Sequence, residues 1–457
     1  MTQTKPQGTS SLVGRWKSYP AYKDSGVGWL GEIPEHWEVK KVKWITLSHK
    51  QGYYTEQTYI DEGIKLVRIT DIDDFANILF ENMPFVQITP ENARAFEIID
   101  GDFLFARSGT IGRFGIVKNP ELSVFASYLI RFRFADVERD FLRFAFSSHF
   151  FHESLFSALH GGANQNIHAE NIKEQLLFLP PPTEQSAIAD FLDRETAKIN
   201  TLIAKKERLI ELLQEKRSAL ISHAVTKGLN PTVPMKDSGV EWLGEIPAHW
   251  EVKRVKHLTE IVSKGTTPTT IGKEFLEKGI RFIKAENISE GRVTNEPATF
   301  IDEATNELLR RSILSDADVL MVIAGATTGK VGIIRRDQLP ANINQAVAFI
   351  RLKKRNNALF LLYWIGGTKI QEQVWLKAVQ AAQPNLSLED IKNFATPIPP
   401  AMEEAEIINY LNQETMKIDA LISRIHEAIE KLKEYSTALI SAAVTGKIDV
   451  REAVTTA

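Results

Sequence analysis

Acidic residues close to a lysine occur at equivalent places in two segments of the chain. Residues 38–40 and 251–253 both read Glu-Val-Lys, and Asp24 and Asp237 precede them. Two carboxylates can hold a Mg²⁺ ion beside a scissile phosphate, so these residue types would suit a metal-dependent nuclease. The neighbouring residues favour a packed turn instead, because they are apolar or aromatic: Trp29, Leu30, Ile33, Pro34 and Trp37.

A glycine-rich segment, GATTGK at 325–330, contains the residue types of a phosphate-binding loop. A P-loop needs four residues between its first glycine and Gly-Lys, and then Ser or Thr. This segment has one residue fewer, and Val331 follows it. Apolar runs that favour strands flank it on both sides, so it predicts a β-hairpin. The matching GTIGRFG at 109–115 does not fit a dinucleotide fingerprint either.

Other catalytic signatures are absent from the sequence. It contains no cysteine, no His-Glu-x-x-His, no serine nucleophile elbow, no Asn-Pro-Pro-Tyr methyltransferase motif and no convincing glycine-rich site for S-adenosylmethionine. His36 and His249 each stand beside a tryptophan, which favours a structural role. We therefore expect no catalytic residue and no metal site in this chain.

The composition is typical of a globular protein. Of 457 residues, 43% are hydrophobic and 25% charged, which excludes a fibrous or disordered chain. No apolar run is long enough to cross a membrane, and the first residues lack the core of a secretion signal. We therefore expect a cytoplasmic protein without a membrane partner. The net charge of −3 gives no general preference for nucleic acid, so a DNA-binding face would have to be a local patch.

The chain repeats one sequence order twice. DSGVGWLGEIPEHWEVKKVK at 24–43 matches DSGVEWLGEIPAHWEVKRVK at 237–256. GDFLFARSGTIGRFGIVK at 101–118 matches ADVLMVIAGATTGKVGIIR at 317–335, and a third pair begins with NIHAEN at 166 and NLSLED at 385. The regions between these segments diverge. Similar flanks around different centres indicate a duplicated domain that carries two specificities.

Each copy combines apolar strand-like runs with helix-like stretches, which predicts an α/β (α+β) domain. The bends LPPP at 179–182 and IPP at 398–400 precede stretches without Pro or Gly that end at Gly228 and Gly446. We predict an N-terminal extension at 1–20, whose role stays open, globular domains at 21–180 and 229–398, helical spacers at 181–228 and 399–446, and a tail at 447–457.

A seven-residue apolar repeat runs through both predicted helices. Such a repeat demands a helical partner, and the other copy could supply it, although an ordinary packed helix pair would also account for the pattern. Lys206 stands where the second copy has Ile425, so it either fixes the register or extends its ammonium group to water. Asp193 and Asn412 have the residue type of an N-cap, which predicts a short helix before each long one. The predicted seam comprises Leu192, Ile199, Lys206, Leu213, Leu220, Leu411, Ile418, Ile425, Leu432 and Leu439.

Together these segments resemble the specificity (S) subunit of type I restriction-modification systems. The resemblance rests on the duplicated DSGVxWLGEIPxHWEVKxVK, on LPPPTEQSAIADFLDRETAKIN and on the closing ALISxAVT, and it covers nearly the whole chain after about residue 20. It implies two target-recognition domains that each read one half of a bipartite, asymmetric sequence in double-stranded DNA. It also implies that the long helices form an antiparallel coiled coil between them.

The resemblance further implies partner subunits. Two methyltransferase (modification) subunits would dock on this chain and hold S-adenosylmethionine, and restriction subunits would use ATP and Mg²⁺ to translocate and cut DNA. The chain itself would be non-catalytic and hold no cofactor. Two other classes stay open, namely a stand-alone nuclease or methyltransferase and a duplicated protein–protein scaffold.

Polar loops and strand ends of the divergent regions supply candidate DNA contacts, each of which could equally be an ordinary solvated residue. Arginine can bind guanine through two hydrogen bonds, so Arg107 and Arg113 are the preferred contacts of the first domain. The first-domain candidates are His49, Lys50, Tyr53, Tyr54, Arg68, Asp71, Arg107, Thr110, Arg113, Asn164 and Gln165. The second-domain candidates are Lys264, Thr266, Thr267, Lys284, Glu286, Asn287, Thr327, Thr328, Lys330, Asn344, Gln345, Gln383 and Asn385.

Overall fold

Strands and helices follow one another in nearly the same order in the two copies. The computed structural model describes residues 16–28, 30–55, 58–107, 112–157, 166–378 and 385–454. The first copy contains β1 (Tyr22–Asp24), β2 (Glu32–Pro34), β3 (Glu38–Lys41), β4 (Thr46–Gln51), β5 (Ile64–Val67), β6 (Phe85–Val86), α1 (Pro90–Phe96), β7 (Phe103–Ala106), β8 (Phe114–Ile116), β9 (Ser123–Phe125), β10 (Leu129–Phe134), α2 (Arg139–Ser147), α3 (His149–Ser157), α4 (Ala169–Lys173), β11 (Leu176–Leu179) and α5 (Pro182–Lys227).

The second copy repeats this order and adds a short hairpin. It contains β12 (Met235–Asp237), β13 (Glu245–Pro247), β14 (Glu251–Arg254), α6 (Val255–Leu258), β15 (Thr259–Lys264), β16 (Ile280–Ile283), β17 (Ile288–Ser289), β18 (Gly291–Val293), β19 (Phe300–Ile301), α7 (Glu303–Leu308), β20 (Val319–Val322), β21 (Val331–Ile333), β22 (Ala341–Ile343), β23 (Val347–Leu352), α8 (Ala358–Gly366), α9 (Thr368–Ala378), α10 (Leu388–Asn393), β24 (Ala395–Ile398) and α11 (Ala401–Val444).

The chain divides into two compact units, and each unit contains parts of both long helices. Unit 1 comprises residues 1–206 and 427–457, and unit 2 comprises residues 207–426. Each unit therefore consists of one mixed α/β domain together with the beginning of one long helix and the end of the other.

A four-stranded antiparallel sheet forms the centre of unit 1, in the order β4-β10-β7-β8. A smaller sheet, β6-β5-β9, lies in the same unit, and β5 and β9 run parallel in it. Every residue of β7 is buried, because this inner strand packs on both faces. Aromatic rings fill much of the adjoining core, including Phe103, Phe105, Phe114, Phe132 and Phe146.

The larger sheet of unit 2 keeps this strand order and extends it. Its order is β15-β23-β20-β21-β18-β17, and the second sheet is β19-β16-β22, with β16 and β22 parallel. The extension arises because β17 and β18 form a hairpin whose second strand pairs in parallel with β21. In unit 1 the corresponding place is held by isolated bridges between Ile72 and Ile78 and between Asn77 and Ile116.

The duplicated opening segments hold each domain against the helix that follows it. In unit 1, β3 pairs with β11, the strand just before α5. The fully buried Trp37 donates from Nε1 to Glu184 Oε1 at 3.0 Å, and His36 Nε2 lies 2.8 Å from Glu184 Oε2. In unit 2, Trp250 and His249 make the same contacts with Glu403, at 3.1 and 2.6 Å. These contacts give both histidines a structural role.

The two long helices run without interruption from their proline bends to their closing glycines. Helix α5 has 46 residues and α11 has 44. Gly228 and Gly446, just beyond the helix ends, have φ angles of 74° and 69°, the left-handed conformation that commonly ends a helix. Asp193 and Asn412 lie inside these helices, so the predicted short first helices and their N-caps were wrong.

Each unit pairs the beginning of one long helix with the end of the other, which is the order of an antiparallel pair. The core of unit 1 joins the start of α5 to the end of α11 through Ile188, Phe191, Leu192, Leu439 and Ala443. The core of unit 2 joins the end of α5 to the start of α11 through Ile221, Val225, Ile407 and Leu411. Along the predicted seam, Leu192, Ile199, Leu411, Ile418, Ile425 and Leu439 are buried and Lys206, Leu213, Leu220 and Leu432 are half-buried.

Candidate nucleic-acid interface

Three strand ends meet at one end of the central sheet of unit 1. Because β4 and β7 both run antiparallel to β10, the residues after β4 and β7 and those before β10 reach the same end. Gln51 donates from Nε2 to the carbonyl oxygen of Ser127 at 3.1 Å, and the backbone N of Arg107 donates to the carbonyl of Tyr128 at 2.8 Å. The resulting cleft has a volume of about 400 Å³ and is lined by Gln51, Gly52, Tyr54, Arg107, Ser127, Tyr128 and Asn166.

Glycine lets the segment after the first sheet strand cross close to a neighbouring loop in both units. A Cβ atom at Gly52 would overlap the carbonyl group of Ala126, and one at Gly265 would overlap the carbonyl group of Ile343. The backbone N of Gly52 donates to the carbonyl of Leu129 at 3.0 Å. The two units thus share one backbone framework at this end of the sheet.

The equivalent strand ends of unit 2 carry many of the predicted polar residues. Because β15 and β20 both run antiparallel to β23, Lys264 at the end of β15 and Gln345 just before β23 reach the same end of the sheet. Ala324, after β20, forms a bridge with Asn385. Lys264, Gln345 and Asn385 are exposed, and Thr266, Thr267 and Asn344 are half-buried.

In each unit two consecutive antiparallel strands, β7 and β8 or β20 and β21, are joined at this end of the sheet. In unit 2, β20 pairs antiparallel with β21, which confirms the hairpin predicted at GATTGK. Its tip carries the half-buried Thr327 and Thr328 and the exposed Lys330. In unit 1, Arg113 holds the corresponding place between β7 and β8, and its Nη2 donates to Asp74 Oδ1 at 3.0 Å.

Two candidate base contacts have internal structural roles, which corrects their assignment. Asp71 is buried, and its carboxylate accepts from the backbone N and the guanidinium of Arg68 at 2.7–3.1 Å. Asn287, only 2% exposed, accepts at Oδ1 from the backbone N of Lys284 at 3.0 Å and donates to the carbonyl of Pro297 at 3.0 Å. Both side chains cap a tight turn after an equivalent strand, so neither has a free edge to offer a base.

Lys50 and Tyr53 also face neighbours within unit 1. Lys50 Nζ donates to the carbonyl of Ala95 at 2.8 Å and lies 4.2 Å from the centre of the Phe96 ring. The Tyr53 ring lies 5.5 Å from the same Phe96 ring. His49 is exposed on β4, and its ring stacks on Phe132 with centroids 5.6 Å apart.

In unit 2, Lys284 Nζ lies 4.8 Å from the centre of the Phe275 ring and 3.7 Å from Glu286 Oε1. Lys284 is half-buried, whereas Glu286 is exposed. Four candidates, Thr110, Asn164, Gln165 and Gln383, lie outside the described residues.

Sequence reasoning missed four polar residues of the unit 1 cleft, Gln51, Ser127, Tyr128 and Asn166. Gln51 stands at the end of β4 as Lys264 stands at the end of β15, so an alignment of the two copies would have selected it. Burial, the largest effect, raises the pKa of the Tyr128 hydroxyl, which is therefore a neutral hydrogen-bonding group at neutral pH.

The residues that suggested a nuclease make ordinary ion pairs. Lys40 Nζ lies 2.6 Å from Glu38 Oε2, and Lys253 Nζ lies 2.6 Å from Glu251 Oε2. Within the described part of the chain, no group of three or more His, Asp or Glu side chains could hold a metal ion. None of the described helices is both long and apolar enough to span a membrane.

Comparison with known proteins agrees with this architecture. A sequence profile described as "Type I restriction modification DNA specificity domain" matches residues 34–212 and 247–431. The EcoBI specificity subunit of Escherichia coli is 24% identical over 315 residues, 66% of each chain. The MjaVIII specificity subunit of Methanocaldococcus jannaschii is 23% identical over 439 residues, 92% of this chain and 94% of that one.

A solved structure titled "Structural basis underlying complex assembly and conformational transition of the type I R-M system" has the same fold. Its chain superposes with a TM-score of 0.69 at 18% identity, over 91% of this chain and 99% of that one. The chain described above belongs to the type I restriction-modification DNA specificity family. It is a DNA-recognition subunit rather than a catalytic one, of a kind that works with methyltransferase and restriction subunits.

Proposed function

We propose that the two units read the two halves of a bipartite, asymmetric DNA sequence through the sheet ends described above. The observation that carries the proposal is one backbone framework with different side chains in the two units. Arg107 follows β7 where the buried Ile323 follows β20, and Gln51 ends β4 where Lys264 ends β15. One framework with two sets of side chains suits a protein that holds two different half-sites in the same way.

The residue types at each sheet end determine what they can recognise. Arg107 can donate two hydrogen bonds to O6 and N7 of guanine, whereas the exposed Lys264 can neutralise a phosphate. Replacing Arg107 should therefore relax the preference at one base pair, at a cost of about 1–3 kcal/mol. Replacing Lys264 should weaken binding to all DNA sequences to about the same extent, without changing the base preference.

The duplicated flanks give two identical partners equivalent surfaces. On this proposal two methyltransferase subunits dock on the chain and hold S-adenosylmethionine, and restriction subunits use ATP and Mg²⁺, so this chain needs no cofactor. Cellular DNA lies in the cytoplasm of a bacterium or archaeon, where we expect the complex to act. The helix pair then sets the gap between the two half-sites, because each unit contains a part of both helices.

A selection experiment tests this function. The chain, bound to its partner methyltransferase, is used to enrich the sequences it binds from random double-stranded DNA. We expect a split motif with a fixed gap, and exchange of residues 44–165 for those of a relative should change one half only. No enrichment would support the protein–protein scaffold instead. Turnover of DNA by the chain alone with Mg²⁺ or S-adenosylmethionine would support an enzyme.

A further inference from the structure

A short segment is fixed to the inner strand of the main sheet in the same way in both units. In unit 1 the backbone N of Ile167 donates to the carbonyl of Arg107, the residue after β7, at 2.8 Å. In unit 2 the backbone N of Leu386 donates to the carbonyl of Ile323, the residue after β20, at 2.8 Å. Ile167 and Leu386 are both buried in the cores of their units. The segment therefore holds an equivalent position in the two units.

The same segment is also fixed on its other side, where a short helix begins. In unit 1 the backbone N of His168, just before α4, donates to Asn171 Oδ1 at 2.8 Å. In unit 2 the Oγ of Ser387, just before α10, accepts from the backbone N of Asp390 at 3.0 Å. Because both sides are held, the residue that begins the segment has a fixed place at the end of the sheet.

An exposed asparagine begins the segment in each unit. Asn166 precedes Ile167 and Asn385 precedes Leu386, and both asparagines are exposed. Asn166 lines the cleft at the sheet end, and Asn385 forms its bridge with Ala324 beyond β20. Among the described residues, neither side-chain amide has a hydrogen-bond partner. Both amides are therefore available to a ligand.

The side chains next to this shared asparagine differ between the units. The backbone N of Arg107 donates to the carbonyl of Tyr128, and the backbone N of Ile323 donates to the carbonyl of Ala346, both at 2.8 Å. Unit 1 therefore has an arginine and a tyrosine where unit 2 has a buried isoleucine and an alanine. An identical residue among different neighbours indicates a contact with something that both half-sites share.

The DNA backbone is the part that two different half-sites share. The halves of an asymmetric target differ in their bases, but both have the same sugar-phosphate chain. Phosphate oxygens accept hydrogen bonds from asparagine side chains, and such contacts fix the register of a protein on the duplex without reading its sequence. The amide supplies two N–H donors and carries no charge.

We propose that Asn166 and Asn385 are equivalent positioning residues, each of which donates from Nδ2 to a phosphate oxygen of its own half-site. This inference rests on the proposed function, because it requires that each unit binds one half-site. In unit 1 the contact sets the distance at which the side chains of Arg107 and Tyr128 reach the base edges. Unit 2 makes the same contact and reads its half-site with other side chains.

The test uses the chain in complex with its methyltransferase subunits, and measures binding to the selected motif and to DNA altered at single base pairs of either half. Asn166→Ala should weaken binding about tenfold on each of these DNAs, because a hydrogen bond to a charged group is lost. Asn385→Ala should have the same effect. The ratio between matched and altered DNA should stay as in the wild type, whereas Arg107→Ala should change it at one base pair.

An aspartate at the same position tests the charge of the partner. The carboxylate of Asn166→Asp has nearly the shape of the amide but repels a phosphate, so this variant should bind DNA more weakly than Asn166→Ala. The same order is expected for Asn385→Asp and Asn385→Ala. The nearly identical shape of the two side chains separates this effect from a failure to fold.

Salt dependence distinguishes this contact from that of a cation. A neutral amide releases no counterion on binding, so the slope of log affinity against log salt concentration should be the same in Asn385→Ala and in the wild type. Lys264→Ala should instead make this slope less steep by about one.

Asn119→Gly is a matched control in unit 1. Asn119 is exposed and follows β8, whose last residue Ile116 pairs with Phe103 at the start of β7, away from the cleft. Its φ angle of 45° suits glycine. This variant also lacks one exposed amide, and it should bind every DNA as the wild type does.

A changed base preference in Asn166→Ala or Asn385→Ala would overturn the inference, because the amide would then read a base. Binding by Asn166→Asp as tight as that by Asn166→Ala would also overturn it, and so would a loss of affinity at only one of the two asparagines. Failure of the proposed function would look different, because the wild type would then select no split motif.

Discussion

Arg351 holds the buried carboxylate of Asp318 through two hydrogen bonds, from Nε to Oδ1 at 2.9 Å and from Nη2 to Oδ2 at 2.7 Å. Asp318 is 1% exposed and lies just before β20, and Arg351 lies in β23. Arg133 and Asp102 repeat the pair in unit 1 at 2.7 and 3.1 Å. Both pairs lie at the end of the sheet opposite the candidate interface, where they fix the strands that carry it.

Removal of this arginine should destabilise unit 2. Arg351→Leu leaves the Asp318 carboxylate buried without its cation, which should lower the free energy of unfolding by about 2–4 kcal/mol. Urea unfolding followed by tryptophan fluorescence measures the shift in midpoint. Arg208→Ala, which breaks a fully exposed pair with Glu211, is the control and should leave the midpoint almost unchanged. Similar midpoints for both variants would contradict the prediction.

Glu184 and Glu403, which accept hydrogen bonds from Trp37 and Trp250, should contribute differently to the stability of their units. Glu184 accepts from Tyr19, Trp37 and His36, and its side chain is 5% exposed. Glu403 accepts from two side chains of the described part of the chain, Trp250 and His249, and its own side chain is 22% exposed. Glu184→Ala should therefore cost about 2–4 kcal/mol, and Glu403→Ala about 1–2 kcal/mol.

Differential scanning calorimetry of the two glutamate variants and of the wild type gives the comparison. The larger shift should affect the transition of unit 1, which contains Glu184. A larger effect of Glu403→Ala would mean that burial and partner number do not determine the contribution of these carboxylates.

The two close backbone crossings should be essential for DNA recognition. Gly52→Ala and Gly265→Ala each place a methyl group on a neighbouring carbonyl, so the polar loop after the strand must move. We expect each variant to lose discrimination at its own half-site by about tenfold or more, a cost of about 1.4 kcal/mol or more. Half-site competition binding measures the loss. Gly28→Ala is a suitable control, since a Cβ atom there meets nothing within 4 Å.

Glu404 should make the stability of unit 2 depend on pH. Burial raises the pKa of this carboxyl to about 7, against an ordinary value of 4.5, while Lys354 acts in the opposite direction. The folded protein therefore keeps a proton that the unfolded chain releases, and stability should fall as the pH rises from about 4.5 to 7.

Glu404→Gln tests this dependence. The amide can still accept from Asn357 Nδ2, now 2.7 Å from Glu404 Oε2, and unit 1 already has Gln185 at the equivalent position. Thermal unfolding at several pH values should show the variant and the wild type nearly equal at pH 4.5, with the variant increasingly more stable up to pH 7. A constant difference across this range would refute the assignment.

Much of the fold was predictable because each sequence pattern occurs twice in the chain. A pattern that is weak evidence alone indicates a structural element more reliably when it recurs at the equivalent place in the second copy. The proline bends and Gly228 and Gly446 delimited both long helices to within a few residues. The apolar runs around GATTGK identified a hairpin, since both sides favoured strands. The extra hairpin β17–β18 was not predicted, because its strands are too short to show a period-two pattern.

The candidate interface was less predictable because a polar residue in a loop can serve the fold or a ligand. The sequence predicts DNA contacts at Asp71 and Asn287, yet each caps a turn through partners that depend on local backbone geometry. Their shared place three residues after Arg68 and Lys284 was visible in the sequence and fits a capping residue. Gln51 was missed because it ends a strand rather than lying in an obvious loop.

The composition of the two units has a consequence for protein synthesis. Unit 2 is one continuous stretch, residues 207–426, and can complete its core as soon as its last helix turn leaves the ribosome. Unit 1 begins first but needs Leu439, Val444, Ile448 and Val450 for its core. During translation the apolar core of unit 1 therefore stays partly uncovered until Leu439 to Val450 have emerged. A nascent chain that stops before these residues would leave the domain that was made first without part of its core.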